Sequence, residues 1–276
     1  MSKQILIGEA GGSGTQWRLS KGDSKVDQFV TVGYNPQNNA IDDLLHELQQ
    51  QLTDTQIIDH LYFYAAGLIT VDHFLDTRHA FQRLFPQAQV EVQNDALAAA
   101  RGLCGKSAGW IGFLGTGSGM VYYDGKAISK QIDSLGFILG DEGSGAYLGK
   151  ILTRDYYRGQ MPEGLAKALK PHFEDLGTEL GKIYRTKQGN AHLARLAALI
   201  APHLTHPYVD QLIRNAFRAF FDAFAPGDIS SPIQFTGSIA FHFNGILREV
   251  AIEKHLSIGR IVQSPIAGLL LYHEVR

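Results

Sequence analysis

A strand running into a short turn of glycine and hydroxyl residues, and out into another strand, occurs twice in this chain. That recurrence narrows the possible folds more than any other feature. The first copy is Ile5-Leu6-Ile7-Gly8-Glu9, then Ala10-Gly11-Gly12-Ser13-Gly14-Thr15, then Trp17-Arg18-Leu19. The second runs from Trp110 to Leu114, through Gly115-Thr116-Gly117-Ser118-Gly119, and out over Met120 to Tyr123. Asp124-Gly125 then reads as a hairpin turn returning through 126–131. A repeated strand–turn–strand unit predicts an internal duplication of one α/β fold. Each turn alone is either a plain hairpin, in which glycine supplies positive φ, or a nest of backbone N–H groups for an anion. A third such turn, Gly237-Ser238 after a strand over 233–236, tips the reading towards phosphate. No Gly-Lys-Ser/Thr follows the glycines, so these are not Walker A loops. Nor is the first a dinucleotide fingerprint, because Trp17-Arg18-Leu19 continues as strand rather than helix.

Between the two copies the pattern alternates. Ile41, Leu44, Leu45, Leu48 and Leu52 fall at helical spacing and predict a helix over 40–52. A strand over 61–67, a helix over 71–84 stopped by Pro86, and a strand over 90–92 follow. That last strand delivers Asn94-Asp95 to a small-residue helix, Ala96–Leu103. Either Asn94 or Asp95 simply caps this helix, or Asp95 supplies a positioned acid beside a phosphate turn, the arrangement phosphoryl transfer needs. Glu9 is a solvated strand end or, next to an anion nest, an oxygen ligand suited to magnesium. Beyond the second copy the chain is more helical, with helices predicted over 146–154, 162–170, 173–184, 192–203 and 207–225, then one after Gly237 reaching His255. Asp141-Glu142, held between glycines, is either a solvated loop or part of a site. Trp17 and the stripe Phe217, Phe220, Phe221 and Phe224 read as core, although the helix carrying that stripe could instead supply an interface.

The formal net charge of −2 gives no basic face for nucleic acid on bulk grounds. A single cysteine, Cys104, excludes an intrachain disulfide framework and a multi-cysteine zinc site. With no signal-like start and no long apolar run, the expected setting is cytoplasmic, without a membrane partner.

Taken in order, the motifs resemble those of the N-acetylglucosamine kinases, in the BadF/BadG-type branch of the actin, hexokinase and heat-shock chaperone superfamily. The resemblance spans nearly the whole chain. Glu9 to Thr15 is similar to the first phosphate motif, and Leu114 to Ser118 to the second. Asn94 to Ala100 resembles the first connecting helix, whose acid is the family's catalytic base, and Ser264 to Tyr272 resembles the second connecting helix. Leu139 to Gly145 matches the family's Gly-Asp-Glu-Gly-Ser loop, Asn35 an early loop asparagine, and Thr236-Gly237-Ser238 the adenosine motif.

The resemblance implies an α/β fold of two duplicated RNase H-like (actin-like ATPase) domains with a cleft between them. Their expected extents are 1–107, with 264–276 packing back on it, and 108–263 with helical insertions. It implies ATP and Mg²⁺ as cofactors and a sugar as substrate, most simply N-acetylglucosamine phosphorylated at its 6-hydroxyl. Asp95 is then the catalytic base and Glu9 the residue near the metal. Gly11, Gly12, Ser13, Thr15, Gly115, Thr116, Gly117, Gly237 and Ser238 hold the nucleotide. Asn35, Asp95, Ser118, Gly119, Gly136 and Asp141 hold the sugar. Relatives are often dimers, so a homodimer is compatible with the resemblance. Three places depart from the family pattern. Gly14 stands where relatives usually carry Lys or Arg, and Gly119 where the animal enzymes carry an Asn. Ser134 to Phe137 lacks the Gly-Gly-Trp-Gly form. These departures leave N-acetylmuramic acid, glucosamine and glucose open as substrates, and also a non-catalytic nucleotide- or sugar-binding sensor.

Overall fold

The computed structural model describes residues 3–11, 14–22, 25–52, 58–225, 227 and 229–274. In chain order the elements are β1 (Ile5–Ala10), β2 (Thr15–Ser20), β3 (Val26–Thr31), α1 (Asp42–Gln51), β4 (His60–Ala65), α2 (Val71–Leu84), β5 (Gln89–Asn94) and α3 (Asp95–Cys104). They continue with β6 (Gly109–Leu114), β7 (Ser118–Tyr123), β8 (Ile128–Ile132), α4 (Gly136–Leu139), α5 (Gly145–Tyr157), α6 (Glu163–Leu169), α7 (Leu176–Tyr184), α8 (Gly189–Ala197) and α9 (Pro207–Phe224). The chain closes with β9 (Ile233–Thr236), α10 (Ser238–His242), α11 (Asn244–Glu253), β10 (Ile258–Val262) and α12 (Ile266–Glu274). It divides into two units: Met1–Ala108 with Asp124–Ile128 and Ser264–Arg276, and Gly109–Tyr123 with Ser129–Gln263.

The duplication expected from the paired turns is present in the topology. The first unit's sheet has the order β3-β2-β1-β4-β5, and the second's, read from the other side, β8-β7-β6-β9-β10. In both, the opening strand pairs antiparallel with the strand after the glycine turn and parallel with a strand reached through a crossover. Gly8 on β1 and Gly112 on β6 hold matching places. A methyl group on Gly8 would lie 2.5 Å from the Trp17 ring and 2.8 Å from Phe63. One on Gly112 would lie 2.4 Å from Phe235. In each sheet the central strand therefore gives up a side chain so that a neighbouring aromatic can lie across it.

The first unit packs Trp17, fully buried, between Phe29 and Phe63, with ring centroids 6.1 and 5.7 Å away. Its indole N–H donates to Thr31 Oγ1 at 2.9 Å, so the polar end of the ring is satisfied inside the core. The second unit is centred on α9. Val209, Leu212, Ile213, Ala216, Phe217, Phe220, Phe221 and Phe224 are all buried, at the spacing of one inward-facing stripe of an amphipathic helix. The phenylalanine stripe is core, and α9 does not offer it as an interface. Pro207 opens this helix at its first position, where its missing N–H costs nothing.

Several boundaries shift from the sequence expectation. The helix expected from Gly237 to His255 is two helices, α10 and α11, broken at Phe243. The stretch expected as helix over 192–203 begins at Gly189 and tightens into a 3₁₀ segment over Ala198–His203, which contains Pro202. Phe173 precedes its expected helix; Asp175 caps α7 by accepting the Thr178 N–H at 3.1 Å. Among the described residues no helix is long and apolar enough to cross a membrane.

Candidate active site

In the first unit the site residues gather at the ends of β1 and β5 and the start of α3. Asn94, not Asp95, caps α3. Its Oδ1 accepts the Leu97 N–H at 2.9 Å. That leaves Asp95 at the first helical position, with Oδ1 accepting the adjacent Ala96 N–H at 3.0 Å. The cap thus belongs to Asn94, and Asp95 is spared that structural task. Desolvation raises the Asp95 pKa above the ordinary aspartate value, against the Ala96 N–H, which lowers it. The side chain is nevertheless reached by solvent. An open carboxyl with protein around its remaining sides satisfies both observations.

Glu9, next to last on β1, is half-buried. Burial raises its pKa, the Ser264 hydroxyl lowers it by donating to Oε2 at 3.0 Å, and the like charge of Asp95 raises it further. Ser264, expected only as the start of the second connecting helix, is thus a hydrogen-bond partner of Glu9. Its signal was a Ser-Pro pair ahead of an apolar run, the usual opening of a helix. Its hydroxyl also accepts the Ile266 N–H at 3.3 Å, so one side chain serves both α12 and Glu9.

The remaining residues of this unit vary in what they offer. The first glycine turn closes through Gly11 N–H to Gly14 O at 2.9 Å. Gly12 and Ser13 lie outside the described residues. Thr15 is fully buried and its hydroxyl donates to Val32 O at 2.8 Å, so that group is engaged within the protein. Asn35 accepts the Gln37 N–H on Oδ1 at 2.9 Å, in an Asx turn. Its side chain lies against Gly67, which has φ +80° and no room for a methyl group.

In the second unit the Gly115–Gly119 turn is braced from two sides. Gly145 N–H donates to Gly115 O at 2.8 Å and Ala146 N–H to Thr116 O at 3.0 Å, which ties the turn to the start of α5. Asp141, 6% exposed, accepts the Ser118 N–H at 3.2 Å. From the other side Gly237, at φ +115°, sits so close that a methyl group there would lie 2.3 Å from Leu114 O. Thr116 and Ser238 are exposed, and Gly119 faces open space. Gly136, at φ +73°, likewise faces open space beside the short helix α4. The Ser118 hydroxyl oxygen is buried with no hydrogen-bond partner among the described residues, a polar group left for a ligand to satisfy.

Two α/β units of one topology, each opening with a strand–glycine turn–strand element, define the actin-like ATPase fold of sugar kinases. Solved structures agree. A candidate N-acetylglucosamine kinase from Porphyromonas gingivalis superposes with a TM-score of 0.91, at 35% identity, covering 99% of each chain. A candidate N-acetylglucosamine kinase from Chromobacterium violaceum gives 0.70 at 23% identity, covering 98% of this chain and 99% of that one. A ROK-family glucokinase from Streptomyces griseus, solved with glucose and AMPPNP, gives 0.59 at 12% identity over 99% and 98%. The last two share the fold alone. No family model matches the sequence, and no curated protein does. On the first similarity, the chain belongs to the sugar-kinase family of the Porphyromonas gingivalis protein.

The pair Glu9 and Asp95 carries its own prediction. Its folded pKa being raised, ionised Glu9 costs stability at pH values above its folded pKa, and that cost vanishes below the unfolded value. Glu9→Gln is therefore expected to raise the melting temperature slightly at pH 7, on the order of 2 °C. The difference should close as the pH falls through the ordinary glutamate range. Thermal melts of both proteins from roughly pH 4 to 8 check this; a variant less stable at pH 7 contradicts it.

Proposed function

We propose that this protein is an ATP-dependent kinase of amino sugars that transfers the γ-phosphoryl group to the 6-hydroxyl of N-acetylglucosamine. The observation that carries this reading is Asp95: an acid at the first position of α3, relieved of capping by Asn94 and raised in pKa by its surroundings. A sensor has no need of such a base. Asp95 takes the proton of the attacking hydroxyl, a contribution worth about 10²–10⁴-fold. The turns at Gly11 and Gly115–Gly117, with Gly12, Ser13, Thr116, Gly237 and Ser238, receive the nucleotide. Thr15 contributes by pinning its turn to β3 through Val32. Asn35, Ser118, Gly119, Gly136 and Asp141 face the sugar, with the orphan Ser118 hydroxyl supplying one contact.

Two neighbouring carboxylates of like charge suit a hard cation. Among the described residues no cluster of three or more His, Cys, Asp or Glu side chains is built to hold a metal. A site of this kind fits magnesium, which binds through one or two carboxylates and substrate phosphates and keeps its waters. Glu9 is the residue that would hold it, and the ion would supply charge neutralisation on the phosphates. Within the superfamily we place the chain in the BadF/BadG-type branch, acting in the cytoplasm, where ATP is at hand.

The test is ADP release measured across N-acetylglucosamine, N-acetylmuramic acid, glucosamine and glucose. N-acetylglucosamine is expected to give the highest kcat/KM. A different winner corrects the sugar and leaves the reaction class intact. Measurable ATP binding with no sugar-dependent ADP would favour a sensor, the reading that Gly14 and Gly119 suggest by lacking the family's basic and amide side chains.

A further inference from the structure

The bond between Asp141 and the second glycine turn has a bearing on nucleotide binding that a role in holding sugar does not require. Asp141 has φ +56°, a left-handed backbone uncommon for a residue with a side chain. The loop around it is closed by its own N–H to Ser134 O at 3.0 Å and by the Ser144 N–H to its carbonyl at 3.1 Å. This geometry lays the carboxylate flat on the turn. Oδ1 takes the Ser118 N–H at 3.2 Å, and both oxygens lie 3.1 Å from where a Gly117 methyl group would be. A side chain at 117 would crowd the carboxylate.

An anion nest works by leaving its N–H groups free for the ligand. Here one of them is held by a carboxylate of the protein, and that negative charge lies against the second glycine turn. We infer that Asp141 is a latch on the nucleotide site: without sugar its carboxylate occupies the Ser118 N–H and disfavours nucleotide, and sugar hydroxyls draw it away. This rests on the kinase reading above. The sugar then supplies donors to the carboxylate, Ser118 N–H is released to the phosphates, and nucleotide binds more tightly. By linkage, nucleotide strengthens sugar binding by the same factor. The rest of the turn need not move, since Gly145 and Ala146 hold its carbonyls in place. An enzyme built this way holds ATP weakly until a sugar is present, which limits wasteful hydrolysis.

The experiment is calorimetric titration of the full chain with AMPPNP and with ADP, with and without N-acetylglucosamine, for wild type and Asp141→Asn. In wild type, sugar should tighten nucleotide binding about 5-fold or more. The asparagine variant keeps an acceptor for the Ser118 N–H and loses only the charge, so it should bind nucleotide without sugar at least about 5-fold more tightly than sugar-free wild type, and added sugar should change this little. A site residue whose loss strengthens a ligand is an outcome that general damage does not produce. Sugar-free binding equal to or weaker than wild type, in a variant with an unchanged melting temperature, overturns the latch. Should that variant fold poorly, the wild-type Ser118 amide resonance decides: it should shift when sugar alone is added, and no shift overturns the proposal. The sugar-free comparison also separates this idea from the kinase reading. Tighter nucleotide binding by the variant with no sugar turned over sustains the latch and removes the kinase; sugar turnover without that tightening does the reverse.

Discussion

Asp95→Asn is expected to lower kcat by about 10²–10⁴-fold while leaving the sugar KM within a few-fold. The substitution preserves shape and the hydrogen bond from Ala96, because an amide oxygen accepts as a carboxylate does. Helix α3 keeps its start, since the cap belongs to Asn94. What is lost is the proton acceptor alone, so stability and turnover should separate cleanly. The pH profile carries the same assignment. The base works deprotonated, and its pKa lies above the ordinary aspartate value. kcat/KM should therefore fall on the acid side through an apparent pKa higher than about 3.9, the value of a free aspartate. That limb should be absent from the residual activity of the variant. Near-wild-type turnover in Asp95→Asn would remove this residue from the mechanism.

The second large effect is expected at Gly237. Its φ of +115° and ψ of 156° lie in a region that essentially only glycine occupies. An added methyl group would meet Leu114 O at 2.3 Å and the Gly115 N at 3.0 Å, both backbone atoms that cannot rotate aside. Backbone strain and the clash together put the cost of Gly237→Ala at about 3 kcal/mol or more. For a protein of this size that corresponds to a fall of roughly 6–12 °C in melting temperature. The clash falls on the first residues of the phosphate turn, so nucleotide affinity should weaken as well. Gly115→Ala is the matched control. A methyl group at Gly115 meets nothing within 4 Å, and a near-neutral melting temperature is expected. If the two variants melt alike, the close approach of Gly237 to the turn does not matter to the fold.

Much of the architecture was legible in the chain. Two strand–glycine turn–strand units announced a duplication, and two sheets of one topology are what formed. Trp17 and the α9 phenylalanines were readable as core, because apolar side chains at one helical or strand spacing have nowhere else to go. Boundaries were less legible. The break between α10 and α11 at Phe243 carries no proline or glycine at the break itself, and local propensity gave no reason for it. The pairing of Ser264 with Glu9 was not legible, because the two lie at opposite ends of the chain.

The sequence by itself determined which residue types are present to do chemistry, and in what order: a glutamate before the first turn, an Asn-Asp pair before a small-residue helix, a second glycine turn and an Asp between glycines. It could not say which member of a pair does which task, because that depends on geometry between residues. Only the tertiary structure assigned the cap to Asn94 and left Asp95 open. It engaged the Thr15 hydroxyl with Val32, left the Ser118 hydroxyl without a partner, and laid Asp141 on the turn that Ser118 belongs to. The physical reason is that hydrogen-bond capacity is local to a side chain, whereas its use is set by whatever the fold brings within about 3 Å of it.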